Sequence, residues 1–173
     1  MWTSKMRKVF VVDTSILCVL LGIPGMDTCG PDDDRWDYER CKAVFDKETD
    51  DGTTFVLPIA TIIETGNHIS QVLHSRRVKA QELVEIVRKT LNEEEPWAAF
   101  SQQEPLWTNE GWNKIIDEWP DLANAGISIG DATIRDVAEY YAKAGFEVTI
   151  FTGDAGLKAY EPARPPLVPR RRS

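Results

Sequence analysis

Four acidic residues of this sequence could together bind a divalent cation: Asp13, Glu64, Asp131 and Asp154. Carboxylate oxygens are the ligands that Mg²⁺ and Mn²⁺ prefer in proteins. Carboxylates that converge without a cation repel one another, and the repulsion raises their pKa values. A cation held by carboxylates can activate water for attack on a phosphodiester bond and can stabilise the leaving oxygen. The residue types therefore predict metal-dependent hydrolysis if the fold brings the four acids together.

Each of these acids also has a purely structural interpretation. Aspartate is a favoured residue at helix N-caps and in turns, and most aspartates at such positions only stabilise the backbone. Glu64 lies opposite the predicted core face of a helix, so it could equally belong to a solvated surface. That core face is predicted to consist of Ile62, Gly66, Ile69 and Leu73.

Three of the acids fall at the ends of predicted secondary-structure elements. Residues 9–12 form a continuous apolar run, typical of a strand buried on both faces, and Asp13 follows it directly. Asp154 follows a last predicted strand over residues 148–151. Asp131 is predicted at the N-cap of an amphipathic helix. Ligands bind beyond the carboxyl ends of parallel strands. This rule alone predicts that Asp13 and Asp154 lie at a ligand site.

The elements between these ends alternate in type. Helices are predicted over about 15–21, 36–49, 59–73 and 80–91, with a second strand over 53–57. The apolar stripe of the fourth helix is predicted to be Ala80, Val84, Val87 and Leu91. Strands that alternate with helices predict an α/β fold with a mostly parallel sheet.

Residues 97–121 are less regular and contain four of the six tryptophans, namely Trp97, Trp107, Trp112 and Trp119. Tryptophan is enriched at binding hot spots, so this segment could be an interface with a partner or with a second copy of the chain. It could equally be a helical insertion that closes over the core.

The composition predicts one domain over residues 1–161, followed by a Pro/Arg-rich tail over 162–173 that is extended or disordered. The net charge of −8 argues against a protein that coats nucleic acid by electrostatics alone. Three widely spaced cysteines without a C-x-x-C pair favour a reducing, cytoplasmic compartment. No apolar run approaches the roughly 20 residues that a membrane span needs, so no membrane partner is predicted.

Four motifs, in order along the chain, resemble the PIN-domain family of ribonucleases, which includes the VapC-like toxins. Residues 11–17 resemble the opening strand with its D-T-S turn, and residues 57–64 resemble the second strand and the helix that carries the glutamate. Residues 128–132 resemble the third acidic position, and residues 151–154 resemble the closing strand with its T-x-D. The resemblance covers most of the chain, from about Lys8 to about Tyr160.

The resemblance implies a PIN-like α/β fold, with a central, mostly parallel sheet flanked by helices on both faces. It implies an endoribonuclease that uses Mg²⁺ or Mn²⁺ to hydrolyse RNA, with the four acids as metal ligands. Ser15 and Thr152 would be hydroxyl groups that orient a carboxylate or a water. Relatives of this kind form homodimers and pair with an antitoxin, which implies the same partners here. The chain differs from the short toxins by added length near residues 22–52 and 97–121. It also lacks a further acid one turn after Asp154, so a second metal ion would have fewer ligands here than in relatives that carry that acid.

Three other classes of protein share parts of this pattern. A phosphatase of the HAD type needs a second aspartate two residues after the first, and Ser15 stands there. A response-regulator receiver domain needs an acidic pair after its first strand, and Asp13-Thr14 supplies one acid. A non-catalytic PIN-like module within a larger complex is the remaining alternative, against which the four retained acids argue.

Overall fold

The computed structural model describes residues 6–166 of the 173-residue chain. Its strands are β1 (Lys8–Val12), β2 (Thr28–Cys29), β3 (Trp36–Asp37), β4 (Thr54–Val56) and β5 (Glu147–Phe151). Its α-helices are α1 (Thr14–Leu20), α2 (Tyr38–Asp50), α3 (Ile59–Gln71), α4 (Arg76–Leu91), α5 (Asn109–Asn124), α6 (Ile129–Lys143) and α7 (Ala155–Lys158). Two 3₁₀ segments cover Asp32–Asp34 and Phe100–Trp107.

The central sheet has three parallel strands in the order β4-β1-β5, which confirms the predicted α/β fold with a parallel sheet. Val11 of the middle strand stands beside Val56 on one side and Ile150 on the other. The chain runs from β1 to one neighbour and later returns to the opposite one. Successive connections that diverge in this way leave a crevice at the carboxyl ends of the strands.

Both faces of this small sheet are covered, because side chains alternate along β1. Phe10 and Val12 pack into a core that includes residues of α1 to α4, whereas Val9 and Val11 pack against α6. All four of these side chains are buried, with at most 8% exposed, as predicted for this run. The sheet is therefore flanked by helices on both faces, and its strand ends are held rigidly at the edge where the acids lie.

The outer edge of β5 is partly covered by side chains that follow the strand in sequence. Glu161 accepts a hydrogen bond from the backbone N–H of Ile150, and Lys158 donates one to the Ile150 carbonyl. Arg164 pairs with Glu147 further back along the strand. Unpaired edge groups invite pairing with other chains, so this cover protects the edge. Residues 162–166 of the predicted tail have no regular secondary structure, and 167–173 lie outside the described residues.

The structure corrects the predicted core faces of two helices. Helix α3 ends at Gln71, and Leu73, predicted in the core, is 94% exposed beyond it. The buried side of α3 instead includes Thr61 and Thr65. Thr61 can be buried because its hydroxyl donates a hydrogen bond to the Val12 carbonyl. A search for apolar residues alone does not find such positions.

In α4 the buried residues are Leu83 and Thr90, while Val84 and Leu91 of the predicted stripe are 45% and 63% exposed. A stripe through Leu83, Ile86, Val87 and Thr90 also has helical spacing, so periodicity allowed two faces. In the folded protein the stripe through Leu83, Ile86, Val87 and Thr90 is the one that packs against the core.

Residues 97–121 are more regular than predicted, because α5 is a continuous helix of 16 residues that contains Pro120. Trp97 belongs to the core and packs against Phe45 and Phe55. Trp112 of α5 is 42% exposed. The tryptophans therefore divide between the core and the surface. Across residues 6–166, no helix is both long and apolar enough to cross a bilayer.

Candidate functional site

Asp13 is the most deeply enclosed of the four acids, with only 5% of the residue exposed. It caps α1, and its backbone N–H donates to the Phe151 carbonyl, which ties the end of β1 to the end of β5. One carboxylate oxygen, Oδ2, accepts hydrogen bonds from the hydroxyls of Ser15 and Thr152, each at 2.7 Å. It also accepts from the Ser15 backbone N–H at 3.3 Å. Asp13 is thus held in one orientation by the first turn of α1 and by the residue that follows β5.

The two hydroxyls on Asp13 are themselves fixed by backbone donors. Ser15 Oγ accepts from the Gly153 N–H at 3.0 Å, and Thr152 Oγ1 accepts from the Asp154 N–H at 2.9 Å. Each hydroxyl accepts a backbone N–H through a lone pair and donates its single proton to the Asp13 carboxylate, which can only accept. The structure therefore brings Ser15 and Thr152 onto Asp13 and links the T-G-D turn to the D-T-S turn.

Asp154 follows β5 and caps the short helix α7. Its Oδ1 accepts from the backbone N–H groups of Gly156 at 2.7 Å and Leu157 at 3.3 Å. The side chain is exposed at the carboxyl edge of the sheet. It therefore combines the structural role of an N-cap with a position beside the end of β1.

Glu64 reaches this edge from α3, and the residues that orient it were missed by the sequence analysis. Glu64 Oε2 accepts a hydrogen bond from Thr14 Oγ1 at 3.0 Å. Its other oxygen lies against Gly130, where an added Cβ would collide with the carboxylate. The available signals were that Thr14 stands between Asp13 and Ser15, and that Gly130 directly precedes Asp131. Neither signal points to Glu64 without the fold.

Asp131 lies in the first turn of α6, and not at its N-cap as predicted. Ser128 is the N-cap, and its hydroxyl accepts a hydrogen bond from the Asp131 backbone N–H at 3.0 Å. The helix begins three residues earlier than predicted, because serine can cap a helix as well as aspartate. As a result the Asp131 side chain points from the first turn into the same region as the other acids.

Electrostatics show that the four acids share one region. The pKa of Asp131 is raised to about 6, first by burial and then by the charge of Asp13, with smaller contributions from Glu64 and Asp154. A hydrogen bond with Ser128 opposes the rise. An acid that is buried and faces three negative charges is one that a cation would relieve.

The donor set fits a hard divalent cation, because it consists of carboxylates with no thiolate or imidazole. Across residues 6–166, however, no group of three or more Asp, Glu, His or Cys side chains is close enough to hold an ion as it stands. The acids instead accept hydrogen bonds from Ser15, Thr152, Thr14 and backbone N–H groups. Ligation of one ion by several of these acids would therefore require their side chains to leave these hydrogen bonds and turn toward it.

No protein-family model matches the sequence, and neither a curated protein nor a solved structure matches it.

Proposed function

We propose that this chain is a metal-dependent endoribonuclease with a PIN-like fold. One observation carries the proposal: acids from four separate segments face one region at the carboxyl edge of the sheet, where burial and the charges of Asp13, Glu64 and Asp154 raise the pKa of Asp131. Carboxylates that face one another repel and so lower the stability of the fold. Their presence at a crevice therefore suggests a function that requires several negative charges there. The order of the motifs along the chain supports the choice of nuclease over other metal-dependent hydrolases.

In this proposal Asp13, Glu64, Asp131 and Asp154 hold Mg²⁺ or Mn²⁺. The ion, when bound, would polarise the phosphodiester and make water a better nucleophile. Asp13 accepts its hydrogen bonds through Oδ2, so Oδ1 is the oxygen that we expect to face the ion. Ser15 and Thr152 act as positioning residues, because their protons keep the Asp13 carboxylate in a single orientation.

Cleavage of RNA by the purified full-length protein tests this proposal. We expect a structured RNA pool to be cut with Mn²⁺ or Mg²⁺ and to remain intact with EDTA. The Asp13→Asn and Asp131→Asn variants should lose cleavage while they keep the circular dichroism spectrum of the parent. Asp50→Asn is a matched control, because this exposed acid ends α2 just before β4, at the opposite end of the sheet.

The results separate the proposal from its main alternative. If Asp13→Asn cuts as well as the parent, the site assignment is wrong. If the parent cuts nothing with either metal but binds a protein partner tightly, the non-catalytic module is the better description.

The resemblance extends the proposal to a homodimer that is paired with an antitoxin in the cell. Light scattering coupled to size-exclusion chromatography measures the mass of the particle, and a mass near 19.5 kDa would contradict the dimer. Growth arrest on expression, relieved by the product of a neighbouring gene, would support the toxin role. Growth unaffected by an active nuclease would argue against it.

A further inference from the structure

An apolar cavity of about 480 Å³ opens beside the acidic site. Its walls come from α3, from the end of the second 3₁₀ segment, from α5 and from the start of α6. Its lining includes Ile63, Glu64, Trp107, Trp112, Ile129 and Gly130. The volume lies in the range of small-molecule sites, about 300–1,000 Å³.

The cavity and the acidic site share a boundary. Glu64 and Gly130 both line the cavity, and the same two residues meet at the acidic site, where Glu64 is held by Thr14. Asp131 follows Gly130 directly in the chain. A chain-like ligand at the acids could therefore place a neighbouring group in the cavity without crossing any other part of the surface.

The cavity presents aromatic and aliphatic surface to solvent. The rings of Trp107 and Trp112 lie with centroids 5.6 Å apart at 49°, so they form an angled wall. Trp112, Ile63 and Ile129 are 42%, 57% and 42% exposed. Contiguous apolar surface of this kind costs free energy when it is left in water, and on soluble proteins it commonly marks a binding site. The residues that line it include no lysine or arginine, so they suit a neutral ring better than a phosphate.

We propose that this cavity binds one base of a single-stranded nucleic acid whose backbone lies at the four acids. The inference rests on the proposed function, because it needs a nucleotide chain at the acidic site. It assigns to Trp112 and Trp107 the role of a stacking wall, and to Ile63 and Ile129 the role of apolar contacts. Every base has a face that can stack on an aromatic ring, so binding tolerates different sequences. A single base is the chosen occupant because Glu64, which lines the cavity, also belongs to the acidic site where the nucleotide backbone would lie.

Binding of a fluorescein-labelled hexauridylate tests the proposal, with a hexamer of the same length that lacks its bases as the probe for backbone contacts alone. Anisotropy titrations use full-length Asp13→Asn as the parent, with Mg²⁺ present, so that cleavage does not consume the probe. We expect the parent to bind the hexauridylate about 5- to 150-fold more tightly than the hexamer without bases, the range for loss of one base–aromatic stack. Adding Trp112→Ala should remove most of that difference, and Trp112→Phe should keep it.

Two further variants separate stacking from misfolding. Ile63→Ser removes an apolar lining side chain from a different helix, at a position that is 57% exposed, and it should also reduce the preference for bases. Tyr38→Ala is the matched control, because Tyr38 is a similarly exposed aromatic residue (45%) that does not line the cavity. It should bind both probes as the parent does.

Equal affinity of the parent for both probes would overturn the proposal. So would unchanged base preference in both Trp112→Ala and Ile63→Ser. A change of oligomeric mass in these variants without a change in binding would show that the face belongs to a protein interface, which also overturns it. Base-dependent binding by a protein that cuts no RNA would refute the proposed nuclease and leave the base site standing. Metal-dependent cleavage without base preference would refute the base site and leave the proposed nuclease standing.

Discussion

Asp131→Asn should stabilise the metal-free protein while it removes activity. In the folded protein the pKa of Asp131 is raised from its ordinary value of 3.8 to about 6, chiefly by burial and by the charge of Asp13. An acid whose folded pKa is raised binds protons more tightly in the fold than in the unfolded chain. The free energy of unfolding therefore falls as the pH rises from about 4 to about 6, and it is constant above that range.

The size of the effect follows from this difference in pKa. One pKa unit corresponds to about 1.36 kcal/mol, so the whole shift would cost about 3 kcal/mol at pH 7.5. Because Asp131 is only half-buried, solvent screens part of this cost, which we expect to be about 2 kcal/mol at pH 7.5 and less than about 0.5 kcal/mol at pH 4. Asparagine removes this cost, but it also loses the favourable interaction of a negative charge with the first turn of α6, about 0.3–1 kcal/mol. The net gain should be about 1–2 kcal/mol at pH 7.5, which corresponds to a melting temperature about 2–8 °C higher in a protein of this size.

Urea unfolding in EDTA, followed by circular dichroism at pH 7.5 and at pH 4, measures this gain. Glu110→Gln is a matched control, because it removes an exposed acid from the first turn of α5 and should be neutral or slightly destabilising. The reasoning is refuted if Asp131→Asn is no more stable than the parent at pH 7.5. It is also refuted if the gain is as large at pH 4, because a benefit independent of pH cannot come from the charge.

Three further predictions concern metal binding and the hydroxyl network. Mn²⁺ affinity, measured by calorimetry, should fall about tenfold for each pH unit below about 6, because a proton then competes for Asp131, and a flat profile would exclude Asp131 as a ligand. Gly130→Ala should fold normally, since alanine suits a helix, but it should reduce cleavage about 10- to 100-fold by displacing the Glu64 carboxylate. Full activity in this variant would show that the position of Glu64 does not matter. Thr152→Val should lower the free energy of unfolding by about 1–3 kcal/mol, because it removes the buried donor to Asp13 and leaves a backbone N–H without its acceptor. A urea titration that shows no loss would mean that water replaces the hydroxyl.

The parts of the site that could be predicted were those governed by local rules. The apolar run of β1 predicted a strand covered on both faces, and Asp13 and Asp154 followed from the strand-end rule. These inferences succeed because an unbroken β-rich run leaves few alternatives, and because parallel strands end at the same edge of a sheet. The sequence by itself also placed Ser15 and Thr152 next to these acids, although only as part of a resemblance.

Other features were decided only when the elements packed together. The Glu64 carboxylate accepts a hydrogen bond from Thr14 and lies against Gly130, which has no side chain to displace it. These contacts join residues 50 or more positions apart in the chain. Similarly, Trp112 lines a cavity only because α5 and α3 both pack against α6.

The buried faces of α3 and α4 were likewise ambiguous in the sequence, since periodicity identifies a stripe but not the partner that covers it. Thr61 is buried because the Val12 carbonyl accepts its proton, and Leu73 is exposed because its helix has already ended. The sequence determined the strand ends and the kinds of side chain that could meet there. The tertiary structure decided which of them meet, because distances between remote residues are set by the packing of whole elements and not by the local propensities that a sequence displays.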